Sequence, residues 1–91
     1  MDELPPILVV EDEPLVRIII VEALQEGGYT VLEAEDGLGA IEQIDQQEQI
    51  RGLVTDIRMG AGPSGWEVAH HARDKFSSLA VVYVTGDSAA K

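Results

Sequence analysis

The sequence predicts an open α/β domain: a doubly wound parallel sheet with helices on both faces. Two observations carry this reading. Short strand-like segments containing Val and Leu recur at residues 7–10, 29–34, 52–57 and 79–84, and the first, Ile7-Leu8-Val9-Val10, is an unbroken apolar run, the form taken by a strand buried on both faces. Between them lie helical patterns of about ten to fifteen residues, the spacing of right-handed βαβ units. At 91 residues the chain fits one small domain. Folding at that size buries about 60 to 70% of the surface of the unfolded chain, so every element matters.

The elements follow in order. After Pro5-Pro6, the run Ile7-Leu8-Val9-Val10 is strand one, and it stops at Glu11-Asp12-Glu13-Pro14. Proline suits the first helical turn and acids suit the positive end of the helix dipole, so helix one spans residues 14–26 and ends at Gly27-Gly28. Strand two covers residues 29–34. Asp36-Gly37 is a turn, after which Leu38, Ala40, Ile41 and Ile44 recur at helical spacing up to the solvated Gln46-Gln47-Glu48-Gln49. Strand three covers residues 52–57, and the Gly- and Pro-rich residues 60–65 form a loop. Helix three runs from Trp66 to about Phe76, strand four covers residues 79–84, and Thr85-Gly86-Asp87 opens another loop.

Charge and composition exclude several classes. Six Lys plus Arg stand against seventeen Asp plus Glu, net −11. A surface of that sign repels phosphate backbones and anionic lipid, so nucleic acid is not expected as a direct partner. The imbalance is local: residues 1–50 hold thirteen acids and one base, Arg17, net −12, while residues 51–91 hold four acids and five bases, net +1. Such a field draws cations or a basic partner to the first half. There is no cysteine, which removes disulfides and thiolate metal sites and suits a reducing compartment. The start, Met1-Asp2-Glu3-Leu4-Pro5-Pro6, is acidic where a secretory signal is basic, and the longest apolar run is six residues against the roughly twenty of a membrane helix. A cytoplasmic, non-membrane protein is expected.

Ligands of open parallel sheets collect at the carboxyl ends of the strands. The loops after strands one, three and four therefore share a crevice, which brings Glu11, Asp12, Asp56 and Thr85 together. Three carboxylates there repel each other by several kcal/mol when partly desolvated. A hard divalent cation offsets this, and Mg²⁺ prefers one or two carboxylates plus waters and a phosphate oxygen. The plainer reading, with Glu11 and Asp12 capping helix one and Asp56 a solvated strand end, does not explain why the third acid ends an apolar strand.

The motifs Val9-Val10-Glu11-Asp12-Glu13-Pro14, Thr55-Asp56-Ile57-Arg58-Met59 with Gly65 closing the loop, and Val82-Tyr83-Val84-Thr85-Gly86 resemble the receiver domain of bacterial two-component response regulators. Order and spacing match along nearly the whole chain, so residues 1–91 are expected to be one receiver domain of flavodoxin-like fold. The resemblance implies that Asp56 accepts a phosphoryl group, Asp12 binds Mg²⁺ directly and Glu11 acts through metal-bound water. It implies further that the Arg58 carbonyl is a metal ligand and Thr85 the switch hydroxyl, with Gly86 leaving room for the phosphoryl group. The donor would be a phosphohistidine on a sensor histidine kinase or histidine phosphotransfer protein. The chain would signal by changing shape rather than act as an enzyme.

The sequence departs from the family pattern in three places. The loop after Asp56 is one residue longer, with Gly60 where Pro is common. Ile18 and Val21 stand where polar residues are usual, so residues 15–24 are apolar almost all round; a homodimer through that face is expected. The family's fifth strand, its lysine and its last helix find no counterpart before Lys91, so the domain is expected to be C-terminally incomplete, without a catalytic lysine. Arg58 and Asp87, each two residues beyond a site residue, are expected to face each other across the site mouth and gate water. Adjacent His70 and His71 point about 100° apart on a helix and cannot chelate one ion; Trp66 reads as a packing residue. The alternative function is a receiver-like interaction module that is never phosphorylated.

Overall fold

The computed structural model describes residues 4–84. Thr85, Gly86, Asp87 and Lys91 lie outside the described residues. The order is β1 (Ile7–Val10), α1 (Pro14–Glu26), β2 (Val31–Ala34), α2 (Gly37–Gln46), β3 (Gly52–Asp56), α3 (Gly65–Lys75) and β4 (Ala80–Val84). All strand pairs are parallel, in the order β2-β1-β3-β4. The chain steps outward from β1 to β2 and then returns past β1 to β3, so its direction of winding reverses at the β1/β3 boundary. That reversal opens a crevice beyond the carboxyl ends of β1 and β3.

Alternation along the strands sorts side chains between two layers. Leu8, Val10 and Leu53 pack with Ala40 and Ile44 of α2 and Val68, Ala69 and Ala72 of α3. Ile7 and Val9 point the other way, to Val21, with Ile20 and Leu24 of α1 around them. β1 thus has apolar partners on both faces, which is why its sequence is an unbroken apolar run. On the α1 side Val82 of β4 is 56% exposed, because α1 covers the sheet only over the neighbouring strands.

Local chemistry sets the helix ends. Pro14 starts α1, whose N-cap Glu13 makes no side-chain cap bond. Asp36 caps α2 by accepting from the Gly39 N–H at 2.8 Å. α3 begins one residue earlier than expected because Ser64 is its cap: the Ser64 hydroxyl accepts from the Glu67 N–H, and the Glu67 carboxylate accepts from the Ser64 N–H, a reciprocal capping box. β2 is shorter than expected, since Tyr29 closes the end of α1 by donating its N–H to the Leu24 carbonyl at 3.1 Å.

Val21 is not on the surface. It is 7% exposed and faces the sheet, so it cannot belong to an outward face of α1. Helical spacing explains the correction: Ile20, Val21 and Leu24 form the inward stripe, whereas Leu15, Ile18 and Ile19 face outward at 72, 48 and 66% exposure. Trp66 packs at the start of α3 as expected, meeting the Tyr83 ring at 4.6 Å, tilted by 49°, though it remains 57% exposed.

Candidate functional site

Glu11 continues the line of β1, its N–H donating to the Ala34 carbonyl at 3.1 Å. Parallel pairing puts Val10 beside Thr55, so the residues that follow, Glu11 and Asp56, leave the sheet side by side. Register alone brings acids 45 positions apart to one place. One carboxylate oxygen from each of Glu11, Asp12 and Asp56 lies within 4.8 Å of the others. Glu11 is buried, Asp56 half-buried and Asp12 exposed, so the cluster opens outward through Asp12.

The backbone orients these carboxylates. Glu11 Oε2 accepts from the Glu13 N–H at 3.1 Å. Asp56 Oδ1 accepts from the Ile57 N–H at 2.7 Å, and the Thr55 hydroxyl, wholly buried, donates to the Asp56 carbonyl at 2.8 Å. Gly65 is pressed against the Asp56 carbonyl; a Cβ there would collide with backbone. Its N–H donates to the Ile57 carbonyl at 2.8 Å, so the start of α3 braces the end of β3. The intervening loop turns through Gly60 and Gly62, with φ of 71° and 93°, values costly for residues with a Cβ. Met59 is buried in the core while Arg58 points outward, exposed.

Burial is the largest influence on Glu11 and pushes its carboxyl pKa up; the Glu13 N–H opposes this, and the charges of Asp56 and Asp12 add to the rise. A buried acid held beside two others is in the environment that a divalent cation relieves. The donor set, all hard oxygen and partly open to solvent, fits Mg²⁺ or a similar ion. Among the described residues no other group of three or more His, Cys, Asp or Glu side chains is arranged to hold a metal.

The fold thus joins Glu11, Asp12 and Asp56. Arg58 is carried on the same loop, whereas Thr85, Gly86 and Asp87 fall outside the described residues. His70 is exposed, and His71 is engaged elsewhere, with Nε2 2.7 Å from Asp45 Oδ1 of α2. Sequence reasoning passed over Arg17. Its Nη1 donates to the Glu11 carbonyl at 2.7 Å and its Nε to Glu33 Oε1 at 3.2 Å. The available signal was its standing as the lone base among residues 1–50.

Comparison with known proteins agrees with this geometry. CpdR, a response regulator receiver protein of Brucella abortus, is 35% identical over 83 residues, which are 91% of this chain and 68% of CpdR. A receiver protein from Sinorhizobium medicae superposes with a TM-score of 0.87 at 34% identity, covering 91% of this chain and 67% of that one. TrrA of Thermotoga maritima, solved in complex with Mg²⁺-BeF, gives 0.82 at 35% identity, with 97% and 75% covered. TrrA bound to the histidine kinase ThkA gives 0.78 at 36%, with 90% and 69% covered. The chain spans only 34% of a further relative, the uncharacterized transcriptional regulatory protein YrkP of Bacillus subtilis. The family model of the response regulator receiver domain matches residues 7–91, and the chain belongs to that family.

Proposed function

We propose that this receiver takes a phosphoryl group from a phosphohistidine onto Asp56, with Mg²⁺, and signals by changing shape. The observation that carries the proposal is the meeting of Glu11, Asp12 and Asp56 within 4.8 Å at the ends of β1 and β3. Asp12, Asp56 and the Arg58 carbonyl would hold the ion directly, and Glu11 through a bound water. The ion supplies charge neutralisation between a carboxylate nucleophile and a phosphoryl oxygen. The chain's own part is positional. The Ile57 N–H fixes the rotation of the Asp56 carboxylate, and Gly65 holds the strand end beneath it. Thr85 and Gly86, beyond the described residues, would receive the phosphoryl oxygens and bias the following loop between two states.

The donor we propose is a sensor histidine kinase or a histidine phosphotransfer protein in the cytoplasm. The match to TrrA bound to ThkA supports a kinase, and the exposed apolar Leu15, Ile18 and Ile19 beside the acidic site supply a docking face on α1. Among the described residues no helix is long and apolar enough to cross a membrane. A homodimer through α1 is the second arrangement; its apolar contacts would be Leu15, Ile18 and Ile19, without Val21. It is the weaker one, because residues 1–50 carry net −12 and two such faces repel. We propose also that Arg58 and Asp87 gate water at the site mouth, so that Asp87→Ala changes the lifetime of the phosphoprotein while its melting stays put. Nucleic acid is not proposed as a direct partner.

Incubation with Mg²⁺ and a small acyl phosphate should add one phosphoryl group, read by intact mass, and Asp56→Asn should abolish it. Labelling that persists in Asp56→Asn would overturn the acceptor assignment. A wild type that binds the kinase yet takes no phosphoryl group from any donor would instead favour the non-phosphorylated interaction module.

A further inference from the structure

We infer that Arg17 is the positioning residue of the metal site: its guanidinium fork ties the Glu11–Asp12 loop to β2 and sets the affinity for Mg²⁺. The inference rests on the metal reading above. Arg17 lies on the first turns of α1, with its side chain 18% exposed. Nη1 reaches back to the Glu11 carbonyl at 2.7 Å while Nε meets Glu33 Oε1 at 3.2 Å. Glu33 is itself anchored from the other layer, since its carbonyl accepts from Gln43 Nε2 of α2 at 2.6 Å. One side chain therefore links α1, the loop that bears two of the three acids, and the β2–α2 edge.

The acceptor makes the case. Arg17 bonds the backbone of Glu11 rather than its carboxylate, so the guanidinium does not compete with an ion for the carboxylate, whose Oε2 is oriented by the Glu13 N–H, while the peptide that carries it is held. A charge-assisted bond of this length is among the stronger hydrogen bonds, and the planar guanidinium satisfies two acceptors in fixed directions, which an ammonium cannot do. The positive charge by itself would act the other way, repelling a cation from the cluster. Geometry and charge thus make opposite claims about what removing Arg17 does, and substitution separates them.

The test is isothermal titration of Mg²⁺ into the full chain and its variants, with apo melting followed in chelator. Arg17→Lys keeps the charge and loses the fork; it should weaken Mg²⁺ binding by about tenfold, the lower end of the effect of groups that orient metal ligands. Glu33→Gln keeps Arg17 and weakens one tine, and should lose about threefold, on the order of half that effect in free energy. It also guards against an Arg17 variant that fails to fold. An unchanged Mg²⁺ affinity in Arg17→Lys, or a tighter one in Arg17→Met with Arg17→Lys unaffected, would overturn the positioning role, the latter leaving Arg17 a mere field charge. A fall in apo melting with constant affinity would overturn it too, leaving a structural brace. Wild type that takes up no Mg²⁺ overturns the metal reading itself, and the role of Arg17 with it.

Discussion

Glu11 carries the sharpest conflict at the scale of single residues. Burial and two neighbouring acids raise its carboxyl pKa above the ordinary glutamate value, so between the unfolded and the folded pKa the folded protein holds a proton that the unfolded chain has released. The associated stability is present below the unfolded pKa and is lost as pH rises through the folded one. At neutral pH without metal, ionised Glu11 therefore works against folding. Glu11→Gln keeps an oxygen for the Glu13 N–H and removes the charge. It should melt several degrees higher than wild type at pH 7 in chelator, on the order of 1 kcal/mol for a domain this small. The difference should shrink as acidification protonates Glu11 in the folded protein. A variant that melts lower at pH 7 would show that the carboxylate contributes something besides repulsion.

Gly65 is the counterpart on the other strand. Its contact with the Asp56 carbonyl leaves no space for a Cβ, so Gly65→Ala must displace either α3 or the end of β3. Acyl-phosphate labelling should fall at least tenfold, since small misplacements of reacting groups are costly. Labelling at the wild-type rate would show that the strand end yields without disturbing Asp56.

Among the elements, α3 owes its start to the Ser64–Glu67 capping box. Ser64→Ala should cost about 1 kcal/mol by thermal melting, the usual price of a lost cap. α1 is the element where sequence and structure part. Apolar on nearly all sides, it declares no inward face, and its buried stripe emerges only when Ile7 and Val9 come up against Val21, Ile20 and Leu24. Two substitutions one turn apart should therefore behave oppositely. Ile18→Glu with Ile19→Lys should leave melting within about 0.5 kcal/mol of wild type, as exposed sites do, while weakening kinase binding and any self-association. Val21→Lys places an ammonium in the core and should destabilise by several kcal/mol. Equal melting in the two would contradict the orientation of α1.

Over the whole molecule, three acids left close together make the fold sensitive to divalent metal. Mg²⁺ at about a hundred times its dissociation constant should add roughly 2.7 kcal/mol of stability at neutral pH, growing with the logarithm of free metal. Asp12→Ala should lose most of that gain, and an equal rise in both proteins would place the ion elsewhere. The gain should also diminish as pH falls through the raised pKa of Glu11, because protonation removes a negative charge that the ion offsets and the acceptor for its bound water.

Much of this was legible in the chain. Strand runs such as Ile7-Leu8-Val9-Val10, punctuated by Glu-Asp-Glu-Pro, determined a parallel sheet with acids at its carboxyl end. Those signals are local, the product of side-chain shape and backbone preference within a few residues, and the meeting of Glu11, Asp12 and Asp56 followed from where such a sheet places its strand ends. Three features were settled only by tertiary structure: the burial of Val21, the exposure of Trp66 against Tyr83, and the grip of Arg17 on the Glu11 carbonyl. Each depends on which surface another element covers. A uniformly apolar helix has no face until the sheet supplies one, and an arginine's partners depend on which carbonyls the folded backbone leaves within reach of its fork.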